Sequence, residues 1–191
     1  MRRAWGVSLV ALFAALLVGM PAAASNTAFT ASRAPGIDGV ATGLRLNAVD
    51  CSSPGNCVAV GSQNGSGAID VEKAGKWKAV TLSARTGAGS TNLTAVSCPA
   101  PGSCVAVGTD GSQGVIETQA GSKWKGLDAT GDGSLYPGSY EGQLSSVSCP
   151  AAGSCAAVGQ AIHDNSMGTQ ETDGLIADLI PSKNPGKPSV W

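Results

Sequence analysis

Aromatic and charged residues are scarce in this 191-residue chain. Aromatic residues make up 4% of the sequence and charged residues 13%, and His163 is the single histidine. With 12 basic and 13 acidic side chains and no basic cluster, the chain lacks the positive face that binds nucleic acid or anionic lipid. Glycine is abundant instead, with 27 residues. This composition predicts many turns and a core of Val, Ile, Leu and Ala.

Long apolar runs are also lacking, apart from one near the first residue. Two arginines precede an apolar run from Val7 to Met20, and small residues then fit cleavage after Ala24. About 14 apolar residues are too few for a spanning helix, which needs roughly 20. Residues 1–24 are therefore interpreted as a secretory signal peptide. Its removal takes away two of the 12 basic side chains and none of the 13 acidic ones, which leaves a secreted chain of formal charge −3 without membrane insertion.

The six cysteines form three pairs with five residues between the partners. Exported chains meet an oxidising environment, so disulfides are the expected state of these cysteines. Zinc is disfavoured because paired metal ligands usually lie two to four residues apart and because the chain has one histidine. No cofactor is expected. Six cysteines allow 15 connectivities, and the recurrence of the same pair along the chain favours the local one, Cys51 with Cys57, Cys98 with Cys104, and Cys149 with Cys155.

The cysteine pairs belong to an internal repeat. Residues 46–80 align without a gap with residues 93–127, and a third copy starts at Leu144. Each copy contains a phrase such as CPAPGSCVAVG, in which a turn separates the two cysteines. The third copy then inserts AIHDNSMGTQETD before GLIADLI. A period in this range indicates repeated supersecondary units that share one core.

Each copy predicts short strands separated by turns. In the second copy these strands are LTAVSC, CVAVG, GVIETQ and KWKGL. If the two cysteines face each other across the first hairpin, Val96 opposes Ala106 on one face and Ala95 opposes Val107 on the other. Both faces are then largely apolar, so each sheet is expected to pack against a neighbour on each side. No segment after residue 24 shows sustained helical periodicity, so the fold class is all-β.

The pattern V-S-C-P-x-x-x-S-C-x-A-V-G, followed by a Gly-led strand and a Lys/Ser-Trp strand, resembles the tandem repeats of secreted bacterial β-propeller-like proteins. These repeats are common in actinobacteria and are distantly related to the sialidase-type, or BNR/Asp-box, propellers. The segment PSKNPG, residues 181–186, is similar to the linker that often joins such repeats. The resemblance covers about residues 44–186. It implies three tandem four-stranded antiparallel repeats in a propeller-like arrangement.

Three copies are fewer than the four to eight blades of a closed propeller. They form an open arc, close by self-association, or are completed by residues 25–43. A β-trefoil, also built from three units of about four strands, is the alternative fold. The predicted organisation is a signal peptide over 1–24, an N-terminal segment over 25–43 and a β domain over 44–191, with repeats at about 44–90, 91–141 and 142–191.

The insertion in the third repeat carries candidate binding residues. His163 and Asp164 lie near Glu171 and Asp173 in sequence, which suits either a general acid and base pair or a solvated polar loop. The solvated loop is favoured over catalysis because no nucleophile or second base is identifiable. If the chain binds a ligand through one repeat, this loop is the expected place, because insertions in repeat proteins map to functional faces. Trp191, in a less regular segment, is a further candidate for ligand contact.

Two other sequence patterns are better explained by a structural role than by metal or ligand binding. Asp128, Thr130 and Asp132 partly match a calcium-binding loop, but its bidentate Glu is missing, so a polar turn is the preferred interpretation. Trp77 and Trp124 recur at one repeat position, which favours packing between repeats over stacking on sugar rings.

The sequence alone predicts a secreted binding or structural module without identifiable catalysis. Its expected partner is an unknown protein or glycan. The alternative, which the resemblance implies, is a glycoside hydrolase of sialidase-like descent. Glycoside hydrolysis needs two carboxyl groups placed across the scissile bond. A sialidase also needs an arginine cluster, whereas only Arg33, Arg45 and Arg85 follow the signal peptide.

Overall fold

The computed structural model describes residues 31–80, 82, 90–128, 140–165 and 167–179. The predicted signal peptide and the segment 181–186 lie outside these residues. The described part of the chain contains a short 3-10 helix, Ile37–Gly39, and eleven β-strands. It holds no helix with the length and apolar character that a bilayer span requires. The all-β prediction is therefore confirmed for the described residues.

The strands form three antiparallel sheets, and within each sheet neighbouring strands follow chain order. Sheet 1 contains β1 (Leu44–Ser53), β2 (Asn56–Gln63), β3 (Ser66–Lys73) and β4 (Lys76–Val80). Sheet 2 contains β5 (Thr91–Ala100), β6 (Ser103–Asp110), β7 (Gln113–Ala120) and β8 (Lys123–Asp128). Sheet 3 contains β9 (Tyr140–Ala151), β10 (Ser154–Asp164) and β11 (Gln170–Leu179).

The third sheet differs from the prediction of four strands, because the described residues give it three. The inserted residues do not form an additional strand. They pair with each other and lengthen the hairpin, so that β10 has 11 residues and β11 has 10, whereas β6 and β7 have eight each. An insertion that continues the ladder on both strands lets the inserted backbone groups hydrogen-bond to each other across the hairpin.

The first hairpin of sheet 2 has the predicted register. Ala95 lies opposite Val107, and Val96 lies opposite Ala106. The strands are joined through a tight turn in which Gly102 has φ 74°. This left-handed conformation has no steric cost for glycine and explains the glycine in each of the three cysteine phrases.

The last glycine of the phrase is required for a different reason, the close approach of two strands. A Cβ atom built at Gly108 would lie 2.0 Å from the main-chain oxygen of Asn92, and the same clash arises at Gly61 and Gly159. In sheet 2 the register shifts between Leu93 and Ala95, so the neighbouring strand bulges at this point. Bulges bring backbone close to backbone, and only glycine fits there.

Sheet 2 packs on both of its faces. Cys104 and Ala106 of β6 belong to a buried cluster with residues of sheet 1, whereas Val105 and Val107 belong to a buried cluster with residues of sheet 3. Alternate residues of one strand thus fill two different cores. The predicted two-sided burial is confirmed for sheet 2, whereas sheets 1 and 3 each contribute to one of the two cores. We call the face of a sheet that points toward the preceding repeat its upstream face and the opposite one its downstream face.

Hydrogen bonds join consecutive sheets at equivalent repeat positions. Asn47 Nδ2 donates to the Leu93 carbonyl over 2.7 Å, and Thr94 Oγ1, which is 47 residues later, donates to the Leu144 carbonyl over 2.7 Å. In a second pair of hydrogen bonds, the donor lies on the later sheet and the acceptor on the earlier one. The N–H of Cys98 donates to Asp50 Oδ2 over 2.6 Å, and the N–H of Cys149 donates to Ser97 Oγ over 3.1 Å. The interface between sheets therefore repeats in its polar contacts as well as in its apolar ones.

The three predicted disulfides are present, each within its own repeat. Their Cα–Cα distances are 3.9 Å for Cys51–Cys57 and 4.1 Å for each of the other two. Each bridge closes a hairpin of short strands with small side chains. In the chain-entropy model, a loop of this size contributes about 2 kcal/mol of stability.

Part of the upstream face of sheet 1 is covered by residues 36–42. The side-chain oxygen of Gln63 accepts the N–H of Ile37 over 2.7 Å, and its amide donates to the carbonyls of Val40 and Thr42. Asp70 is buried on the same face and accepts a hydrogen bond from the Gly36 backbone. Burial raises the pKa of the Asp70 carboxyl, and the Gly36 contact opposes this rise.

Candidate recognition site on the third hairpin

The β10–β11 hairpin extends beyond the equivalent hairpin of sheet 2. Ala161 occupies the repeat position of Asp110, where β6 ends. In sheet 3 the pairing continues from Ala161 for three further residue pairs, which end with Asp164 opposite Gln170. These pairs and the following turn carry the insertion that the sequence marks as a binding loop.

Asn165 organises the turn at the end of this hairpin. Its side-chain oxygen accepts the N–H groups of Met167 and Thr169 over 3.0 and 2.9 Å. Its side-chain amide donates to Glu171 Oε1 over 2.8 Å. Asparagine side chains often replace backbone contacts in tight turns in this way. The turn thereby holds the Glu171 carboxylate in a defined position.

An imidazole lies between two carboxylates on this hairpin. His163 and Glu171 are directly opposite each other, and Ala161 is opposite Asp173, so the three polar side chains share one face. His163 Nε2 is 3.9 Å from Glu171 Oε2, and His163 Nδ1 is 3.6 Å from Asp173 Oδ2. The His163 side chain is 17% exposed, whereas both carboxylate side chains are about half exposed. The imidazole is therefore held between groups that remain open to solvent.

Two further carboxylates lie on the other face near the end of this hairpin. Asp164 is exposed at the end of β10, and Glu141 of β9 is exposed opposite Ile162, so strand alternation places both on the face opposite to His163. We call His163, Asp164, Glu171, Asp173 and Glu141 the acidic tip. Ionised carboxylates accept hydrogen bonds, and a protonated histidine donates them. The acidic tip can therefore bind a polar ligand that presents hydroxyl or ammonium donors.

His163 and Asp164 are consecutive residues of β10, so both lie in the acidic tip but their side chains are on opposite faces of the hairpin. Trp191, Thr130 and Asp132 lie outside the described residues, and Asp128 is the last residue of β8. Within the described segments, no group of three or more His, Cys, Asp or Glu side chains is placed to hold a metal ion.

The two repeated tryptophans differ in their environments. Trp124 packs against the core between sheets 1 and 2, in agreement with the packing interpretation. Trp77, at the same repeat position in sheet 1, is 37% exposed. The difference arises because Trp124 has a preceding sheet to pack against, whereas no sheet precedes Trp77 among the described residues.

Sequence reasoning missed Asn165 as the residue that positions Glu171. An Asn two residues after a strand histidine and before a glycine is a turn signal, and it could have indicated a tight hairpin here. It also missed the exposed apolar side chains of the first and third sheets. The repeat alignment does not reveal them, since Ile176 aligns with Ile116, which is buried.

These features define an all-β repeat chain in which local disulfides close a hairpin of each sheet and the third sheet carries an acidic tip. Comparison of the chain with protein-family models, with curated proteins and with solved structures found no match.

Proposed function

We propose that this chain is an exported binding module that presents its acidic tip to an extracellular ligand. The elongated β10–β11 hairpin carries this proposal, because its last three residue pairs extend past the end of the equivalent hairpin and include His163 and Glu171. In repeat proteins, insertions into single repeats lie on one face, which is often the binding face.

A glycan with free hydroxyl or amino groups suits the chemistry of the acidic tip. Carboxylates such as Glu171 and Asp173 accept hydrogen bonds from both kinds of group, and the negative charge favours an ammonium. The hydrolase alternative needs two carboxyl groups on opposite sides of a glycosidic bond. Here, Glu171 and Asp173 flank one imidazole ring instead, which favours binding over hydrolysis.

The proposal includes a propeller-like arrangement, in which the three sheets are consecutive blades. The chain order of strands within each sheet and the burial of sheet 2 on both faces support it over a β-trefoil. The resemblance to secreted actinobacterial repeats is part of the same proposal. Three intrachain disulfides are typical of extracellular proteins and support export after removal of residues 1–24.

Binding of the fluorescently labelled chain to a glycan array that includes amino sugars tests this function. We expect the wild-type chain to bind and the double variant Glu171→Gln/Asp173→Asn to bind at least about tenfold more weakly. Asp178→Asn is the matched control, because it removes an exposed carboxylate from the same strand outside the tip. A blank array, or equal binding by the double variant, would contradict the proposal.

A further inference from the structure

Two open sheet faces carry most of the exposed large apolar side chains among the described residues. Leu46, Val49 and Trp77 lie on the upstream face of sheet 1, and Val158 and Ile176 lie on the downstream face of sheet 3. Exposed apolar side chains scattered singly need no explanation, whereas grouped ones mark interaction surfaces. These two groups lie at the two ends of the repeat order.

The exposed side chains of sheet 3 have buried counterparts in the preceding repeats. Val158 is 43% exposed, whereas Val60 and Val107 at the same position are 0% exposed. The contrast is larger for Ile176, at 69%, because its counterparts Ile69 and Ile116 are no more than 1% exposed. In sheets 1 and 2 these positions are covered by the following sheet. The downstream face of sheet 3 therefore has the composition of an interface.

The exposed side chains of sheet 1 also have buried counterparts, which pack against the preceding sheet in the later repeats. Leu46 is exposed, whereas Leu93 and Leu144 at the same position are buried against the preceding sheet. Val49 is 60% exposed, and its counterpart Val96 is 9% exposed. The upstream face of sheet 1 thus carries the side chains that sheets 2 and 3 insert into their upstream neighbours.

The side chains that form the polar contacts between sheets have exposed counterparts on sheet 3. The single O–H of Thr94 lies within hydrogen-bond distance of two carbonyl oxygens, that of Leu144 in the next sheet at 2.7 Å and that of Val107 in its own sheet at 3.1 Å. Ser145, at the same position, donates to the equivalent Val158 carbonyl over 3.3 Å and is exposed. Ser148, at the position of Ser97, is exposed as well.

Sheet 1 offers the matching groups for these serines. In the two internal interfaces, the partners are a leucine carbonyl and a cysteine N–H of the next sheet. The equivalent groups in sheet 1 are the carbonyl of Leu46 and the N–H of Cys51, on the strand that also carries the exposed Val49. Within the single chain the Cys51 N–H donates to Asp50 Oδ1 over 2.9 Å, so a serine of the next copy would replace this local hydrogen bond. Both end faces therefore match each other in polar and apolar positions.

We propose that copies of this chain associate head to tail, with the downstream face of sheet 3 of one copy on the upstream face of sheet 1 of the next. The new contact continues the internal stacking of sheets, so it uses the same apolar and hydrogen-bonding positions. Residues 36–42 cover sheet 1 around Gln63 and Asp70 and lie next to β4, and the contact is formed by the part of the face that they leave exposed, at Leu46, Val49 and Trp77. A contact between unlike faces closes into a ring or grows into a filament.

Two single substitutions test the proposal, one on each face. The full chain is expressed in a host that exports it, and its assembly is measured by sedimentation velocity over a range of concentrations. We expect concentration-dependent assembly of the wild-type chain. Val49→Asp and Ile176→Asp should each raise the apparent dissociation constant at least about tenfold, because each places a charge in an apolar contact. Met167→Asp is the control, since Met167 is 84% exposed on the hairpin turn and lies on neither face.

Mixing the two face variants distinguishes head-to-tail association from other modes. Val49→Asp leaves the downstream face of sheet 3 intact, and Ile176→Asp leaves the upstream face of sheet 1 intact. Each variant alone should be monomeric, whereas an equimolar mixture should form a one-to-one dimer. Both positions are exposed, and circular dichroism with thermal unfolding verifies that the variants remain folded. A wild-type chain that is monomeric at all concentrations, or wild-type-like assembly of either variant alone, would overturn the proposal.

Discussion

Ile116 and Ile176 occupy the same position in consecutive repeats, yet Ile116 is fully buried under sheet 3 whereas Ile176 is 69% exposed. The two side chains are chemically identical, and each lies opposite a valine of the neighbouring strand. Their difference arises because a following sheet covers Ile116. The presence of a next repeat, rather than the residue, decides whether this position contributes to a core.

The first prediction uses this pair of residues. Ile116→Ala is expected to lower the free energy of unfolding by about 2 to 5 kcal/mol, because it removes buried methyl groups and leaves a cavity. Ile176→Ala is the matched control, with an expected change within about 0.5 kcal/mol in dilute solution. Urea unfolding of both variants measures the difference. Equal losses of stability would show that sheet 3 does not cover Ile116 in solution.

Gly108→Ala is expected to destabilise the chain by at least about 2 kcal/mol, because its methyl group would overlap the Asn92 carbonyl. Gly174→Ala is the control, since a Cβ atom there meets nothing within 4 Å. Thermal unfolding of the two variants measures this effect. A Gly108→Ala chain as stable as Gly174→Ala would mean that the two strands are not as close as described.

Removal of a disulfide is expected to cost more in sheet 2 than in sheet 1. The double variant Cys51→Ala/Cys57→Ala loses the loop-closure contribution of about 2 kcal/mol. Cys98→Ala/Cys104→Ala loses this contribution and also the contacts of two sulfur atoms that are buried between sheets 1 and 2. Denaturant titration under non-reducing conditions compares the two variants. The prediction is wrong if the sheet 1 variant is the less stable one.

The carboxylate of Asp50 is expected to stabilise the contact between sheets 1 and 2. Asp50→Ala should cost about 1.5 to 3 kcal/mol, because the buried N–H of Cys98 loses a charge-assisted hydrogen bond. Asp50→Ser should restore part of this loss, since Ser97 has the same role in the next interface. Chemical unfolding of the three chains measures the order of stability. Equal stability of the Ala and Ser variants would contradict the assigned contact.

The stability of the chain is expected to depend on pH through Asp70. Burial raises the pKa of this carboxyl in the folded state, so ionisation opposes folding. The loss of stability is absent below about pH 3.9, the pKa of the carboxyl in the unfolded chain. It grows as the pH rises from there and is complete above the raised pKa of the folded chain. Asp70 Oδ2 has no hydrogen-bond partner among the described residues, which is consistent with the cost.

Asp70→Asn should therefore raise the melting temperature at pH 7 and lose this advantage near pH 3, because the neutral amide still accepts the Gly36 hydrogen bond. Asp178→Asn, which changes an exposed carboxylate, is the control for the change in net charge. Calorimetry at the two pH values measures the difference. If Asp70→Asn were less stable than the wild-type chain at pH 7, the assigned direction of the pKa shift would be wrong.

The hairpins were predictable from the sequence because their determinants are local. The cysteine spacing, the turn glycine and the alternation of small and β-branched residues specified β5 and β6, with Val96 opposite Ala106. Each of these determinants acts within about ten residues, where turn chemistry and side-chain alternation decide the register. The local pairing of the disulfides followed from the same repeat.

The position of the acidic tip was predictable only in part. The insertion identified His163 and Asp164, but the sequence left open whether it forms a loop or a longer ladder. The structure places Glu171 opposite His163 and brings Asp173 to the same imidazole. This geometry depends on a register that extends along the whole hairpin, and no short motif specifies it.

The sequence by itself determined an all-β repeat with three locally bridged hairpins, because strand alternation, turn glycines and cysteine spacing act over short distances. Only the tertiary structure decided which faces are buried, since burial depends on whether another sheet lies above a given position. Val107 and Val158 have the same place in their repeats, and one is in a core while the other meets solvent. The hydrophobic effect acts on the surface that folding leaves exposed, and sequence periodicity alone does not show which surface that is.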